Sequence, residues 1–125
     1  MPIEAWRLHY FGTTANEGPA ADTAIATSDG MPNLLKYALG LAPLVATNDP
    51  VAGDVLTGHL RLTAPKNPDA TDVSFHVEVT TNILGVWTTN GTTVDVNTAT
   101  LLQAHDNTPV AGSDAGYIRL RISRQ

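Results

Sequence analysis

The sequence predicts a mainly β fold: an antiparallel β-sandwich-like domain with two short helices at its N-terminal end. Three observations predict it. From Gly58 onward the apolar period changes from helical to two. Turn signals separate these apolar rows at short intervals. No helical pattern interrupts them. At 125 residues one domain is expected over 1–125, with 2–40 as helical cap and loop and 58–125 as the β part.

The first helix is expected over Pro2–Phe11. Pro2 suits an N-terminal helical position, and Gly12 suits the position just past the end. Ile3, Trp6 and Tyr10 share one face, which places Trp6 in the core against Leu34 and Ala38. A long loop of small and polar residues runs from Gly12 to Gly30. The second helix spans Asn33 to Leu39, with Leu34, Leu35, Ala38 and Leu39 as its apolar stripe and Gly40 as its stop. Leu41 to Thr57 reads as a covering segment.

Three strands alternate clearly: His59–Thr63, Val73–Thr80 and Tyr117–Ser123. Shorter strands are expected at Val86–Thr89, Thr92–Val96 and Thr100–Ala104. Asn90-Gly91 is a hairpin signal between the first two of these. The predicted core is Leu60, Leu62, Val73, Phe75, Val77, Val79, Ile118, Leu120 and Ile122. Each such side chain contributes roughly 1.5–3 kcal/mol when buried. Oligomeric state is open in the sequence, with sheet edges near Val94 or Leu101 as the places for a second copy to pair.

A net charge of −5 argues against a nucleic-acid partner, which needs a clustered basic face. Arg119, Arg121 and Arg124 do cluster on one strand, with Glu78 expected across from them. Cysteine is absent, which excludes disulfides, iron–sulfur clusters and cysteine zinc sites. No apolar run approaches the roughly 20 residues that span a bilayer, so no membrane insertion is expected. Met1 leads straight into a helical segment without the features of a signal peptide. The chain is therefore either a cytoplasmic product starting at Met1 or a domain cut from a longer precursor.

The segment Ala21–Gly40, ADTAIATSDGMPNLLKYALG, has the grammar of a calcium loop: Asp, Thr and Ser oxygens running into a short apolar helix. Its candidate ligands are Asp22, Asp29 and Asn33, with neutral oxygens from Thr27 and Ser28. Calcium takes 6–8 oxygens, several of them anionic. With so few carboxylates, the loop is expected to stand by its own hydrogen bonds and to need no cofactor. Asp29 or Ser28 would accept backbone N–H bonds in an Asx- or ST-type turn, and Gly30 would take a positive φ.

The order of these pieces resembles a C-terminal accessory module of large secreted or surface proteins of environmental Gram-negative bacteria. The residues that carry the resemblance are Trp6–Gly12, Asp29–Gly40, Val73–Thr80, Trp87 and Tyr117–Arg124. In that module the loop is similar to a dockerin or thrombospondin type 3 loop, D-x-D-G-D-G-L-x-N-x-x-E-Y. Asp29, Gly30 and Asn33 match it. Ile25 and Thr27 stand where the first aspartates belong, and Lys36 stands where the acidic residue would close the site. An ammonium there opposes a cation if it points inward. The resemblance implies a non-catalytic module of an exported protein, extracellular or at the cell surface.

No motif nominates a reaction. His9, His59, His76 and His105 show no i, i+4 pairing; His76 shares a strand face with Glu78, and His105-Asp106 falls in an expected loop. Ser28, Ser74, Ser113 and Ser123 lack a nucleophile-elbow setting. Trp87 and Tyr117 are the candidate ligand-binding residues, as a stacking platform for sugar. The functional expectation is a structural or interaction module, with a protein or a cell-surface glycan as partner. The alternatives are a carbohydrate-binding module and a calcium-dependent surface domain.

Overall fold

A computed structural model describes residues 2–111 and 115–125; Ser113 lies outside them. Helix α1 covers Pro2–Phe11 and ends where the Gly12 N–H reaches the Leu8 carbonyl at 3.1 Å. One 3-10 turn covers Gly18–Ala20. Helix α2 covers Asn33–Leu39 and stops at Gly40, which takes the left-handed conformation at φ 78°. Both helices have the bounds that the sequence predicts.

Among the described residues six strands follow: β1 (Ala52–Leu56), β2 (His59–Pro65), β3 (Val73–Thr80), β4 (Thr92–Asn97), β5 (Leu101–Asp106) and β6 (Tyr117–Arg124). They form two antiparallel sheets. One has the order β1-β2-β5-β4, and the other pairs β3 with β6. The mainly β, sandwich-like architecture with short N-terminal helices is therefore present.

Five local expectations are corrected. Ala52–Leu56 is an edge strand rather than covering chain. Val86–Thr89 contributes only an isolated bridge, Thr88 to Val79. Asn90-Gly91 therefore carries the chain from one sheet to the other instead of closing a hairpin. The fifth strand extends to Asp106, which places His105 and Asp106 in β5 and not in a loop. Leu101 lies in that interior strand, so it marks no open edge, whereas Val94 does lie on edge strand β4.

The core has two parts. Between the sheets, Leu62 and Ala64 of β2 meet Leu102 and Ala104 of β5, with Val77 and Leu39. Register places Leu62 beside Ala104 and Ala64 beside Leu102, so large and small residues alternate across the pair. The second part joins the helices to the β3–β6 sheet through Ile3, Tyr37, Ala38, Ala70 and Val73. Trp6 packs at its margin, edge-on to Tyr37 at 5.5 Å. Of the predicted core, Leu62, Val73, Val77 and Val79 are buried, while Leu60, Phe75, Ile118, Leu120 and Ile122 are partly so.

Candidate functional site

Two backbone bonds tie the long loop to the start of α2. The Asn33 N–H reaches the Ala24 carbonyl at 2.9 Å, and the Leu34 N–H reaches the Asp22 carbonyl at 3.0 Å. Asp29 forms the expected Asx-type turn, its Oδ1 accepting the Met31 N–H at 3.1 Å. Gly30 takes φ 74°, the left-handed conformation a glycine adopts without a Cβ penalty. Asp29 Oδ2 accepts the Thr47 N–H at 3.0 Å, which fastens the segment after α2 to the loop before it.

The same carboxylate oxygen lies 2.6 Å from Lys36 Nζ. Side chains on a helix lean toward its N-terminus, so Lys36 reaches back over the loop. Its ammonium also donates to Thr27 Oγ1 and the Val45 carbonyl at 2.9 Å each, and to the Pro43 carbonyl at 3.3 Å. Lys36 is 0% exposed. One carboxylate, one hydroxyl and two carbonyls thus surround a buried positive charge, an all-oxygen set of the kind a calcium loop supplies. The Lys36 hydrogen bond holds the Asp29 carboxyl far below its usual range; burial opposes this, and the Met31 N–H, Thr27 hydroxyl and Thr47 N–H reinforce it.

The other two candidate ligands have partners of their own. Asp22 Oδ1 receives the Arg7 guanidinium, and Asp22 Oδ2 lies 3.5 Å from Arg124 Nη1. Arg7 also donates to the Thr14 carbonyl at 3.3 Å and is buried. The sequence held a signal for this: Arg7 is four residues after Ile3, on the buried helix face. Asn33 Nδ2 donates to the carbonyls of Pro19 and Ala21 at 2.9 Å each. Among the described residues, no three His, Cys, Asp or Glu side chains gather in a way that could hold a metal.

On the outer face of the β3–β6 sheet, Glu78 receives Arg119 and Arg121, with Nε–O distances of 3.0 and 3.2 Å. Burial raises the Glu78 carboxyl, but the two guanidinium groups bring it below its usual value. The Arg119 guanidinium lies over the Trp87 ring at 4.1 Å from its centre. Tyr117 shares this strand with Arg119 and is exposed. Trp87 and Tyr117 thus belong to one sheet surface, but it is Arg119 that covers a face of the indole.

His76 turns to Ser123, Nε2–Oγ 2.8 Å, rather than to Glu78. His59 and His105, unlinked in the sequence, come within 5.6 Å centre to centre; His105 Nδ1 lies 2.7 Å from Asp95 and His59 Nδ1 lies 2.8 Å from the Asp106 carbonyl. A cavity of about 400 Å³ opens at one end of the sandwich, lined by Leu60, Val79, Val86, Pro109 and Val110 with Asp106. Asp106 Oδ1 accepts the Thr108 N–H at 3.0 Å, the Asx turn that ends β5. Comparison with protein-family models, curated proteins and solved structures finds no match for this chain.

Proposed function

We propose that this chain is a non-catalytic structural or interaction module, an accessory domain of an exported protein acting outside the cell or at its surface. The observation that carries the reading is Lys36. Its buried ammonium stands among the oxygens of a calcium-type loop and neutralises Asp29, so the loop needs no ion to hold its shape. Such a domain folds and presents its surface independently of external calcium.

Three of the twelve acidic side chains are held in a way that suits structure more than acid–base chemistry. The carboxyls of Asp29, Asp72 and Glu78 are lowered, and each is fixed by a cation or by hydrogen-bond donors. General acid–base work needs a group poised near the working pH, and a pinned low-pKa carboxylate is poorly suited to it. Calorimetric titration with calcium tests the reading: no saturable heat is expected, and stoichiometric binding would replace it with the calcium-dependent domain. Trp emission across a polysaccharide panel tests the glycan alternative. An unchanged spectrum is expected; quenching that disappears in Trp87→Ala would establish the sugar platform.

A further inference from the structure

Two histidines from different strands meet on the outer face of the four-stranded sheet. Leu62 of β2 and Leu102 and Ala104 of β5 point into the core. Successive strand residues alternate between faces, so His59 and Arg61 of β2 and His105 of β5 point outward. Register sets Arg61 directly across from His105, which makes His59 the diagonal neighbour of that ring. The two ring centres stand 5.6 Å apart. A recess of about 310 Å³ opens over them, and the His105 side chain is 30% exposed.

Each ring is held by its Nδ1 atom. His59 Nδ1 lies 2.8 Å from the Asp106 carbonyl, and His105 Nδ1 lies 2.7 Å from Asp95 Oδ2. Both partners can only accept, so each neutral ring carries its proton on Nδ1 and its lone pair on Nε2. This is how metal-binding imidazoles are prepared: an acceptor behind the ring fixes the tautomer and makes the other nitrogen more basic. The spacing fits as well. Two imidazoles on one tetrahedral ion, with bonds of about 2.0–2.1 Å, set their ring centres roughly 5–6 Å apart. Arg61 lies beside the rings and would repel a cation, but Asp54 takes its guanidinium through contacts of 2.9 and 2.5 Å. Asp54 and Asp95 together outweigh Arg61 and leave the cluster negative.

We infer that His59 and His105 together bind one late first-row divalent cation, of the zinc or copper type, through their Nε2 atoms. Paired imidazoles select such ions, whereas calcium and magnesium require oxygen ligands. Asp95 acts as a positioning residue through His105. Two protein ligands are one fewer than a catalytic zinc keeps, so the site binds an ion, with water in the remaining positions, and is no hydrolytic centre. The inference goes beyond the interaction-module reading and uses no residue of the calcium-type loop.

The test titrates Zn²⁺ into the untagged chain after chelator treatment and dialysis, with the histidine ring signals followed by NMR. The signals of His59 and His105 should move together and saturate at one ion per chain. Those of His9 and His76 should stay in place, and Ca²⁺ should move none of the four. Binding should weaken at about pH 5, where imidazoles carry protons on both nitrogens. His59→Gln and His105→Gln should each abolish saturable binding, and His76→Gln should leave it unchanged. Asp95→Asn should weaken it about tenfold or more while the circular dichroism spectrum stays the same. The ring signals are read on the native chain, so the test does not depend on the folding of any variant. Rings that do not respond to Zn²⁺, a response of only one of the two, or binding that survives both His59→Gln and His105→Gln overturns the proposal. Each of those results leaves the interaction-module reading standing, because the calcium and polysaccharide measurements decide it separately.

Discussion

Lys36 is the residue on which the loop depends. A buried ion pair that loses one member leaves the other charged and unpaired, which destabilises far more than the pair ever stabilised. Lys36→Met is therefore expected to lower the melting temperature by roughly 10 °C or more. Lys36→Glu restores the acidic residue of the calcium pattern. It should melt low in chelator and rise with added calcium by mass action, read by circular dichroism. A Lys36→Glu protein that melts high in chelator would show that the ammonium holds nothing. Only part of this was legible in the sequence. That Ile25, Thr27 and Lys36 stand where a calcium loop carries acidic residues could be read off directly. The partner of that lysine could not, because periodicity says which face a residue occupies and not where a long side chain ends. Arg7 was overlooked for a related reason: apolar residues define a helix face, and a charged residue on that face breaks the pattern.

Elements with a period were legible, and elements without one were not. Val73–Thr80 alternates over its whole length and has the predicted bounds. Strand β1 is exposed at all five positions, so no apolar row marked it. Asn90-Gly91 looked like a hairpin because turn chemistry is local, whereas the choice of sheet is set by packing. Thr88 joins Val79 in one sheet, and Thr92 opens β4 in the other. The hairpin that does form between β1 and β2 turns at Thr57-Gly58, with φ of 50° and 81°. Both central residues of a type I′ turn need positive φ, and a β-branched residue is poorly suited to it. Thr57→Asn should thus stabilise the protein by roughly 0.5–1 kcal/mol, measured by urea unfolding. A loss of stability would mean that the Thr57 hydroxyl contact with the Leu56 carbonyl, at 2.8 Å, outweighs the backbone relief.

For the whole molecule, apolar layers set the stability and charges set its pH limits. Asp29, Asp72 and Glu78 all have carboxyls below their ordinary values of 3.8 and 4.5. On acidification the unfolded chain takes up protons first, so their contribution is complete above those values and is lost as pH falls below them. Tyr37 is raised above its ordinary 10.0, first by burial and then by its 2.5 Å hydrogen bond to Asp72. The unfolded chain then loses that proton first, so stability also falls as pH rises past 10. Melting temperature against pH should form a plateau between these limits. A maximum confined to acid pH would contradict the assignment.

The most direct test compares thermal unfolding of the native chain in excess calcium and in chelator. The two curves should coincide, because the Lys36 ammonium already neutralises Asp29. A melting temperature that climbs with calcium and drops in chelator would mean that an ion, and not this lysine, holds the loop.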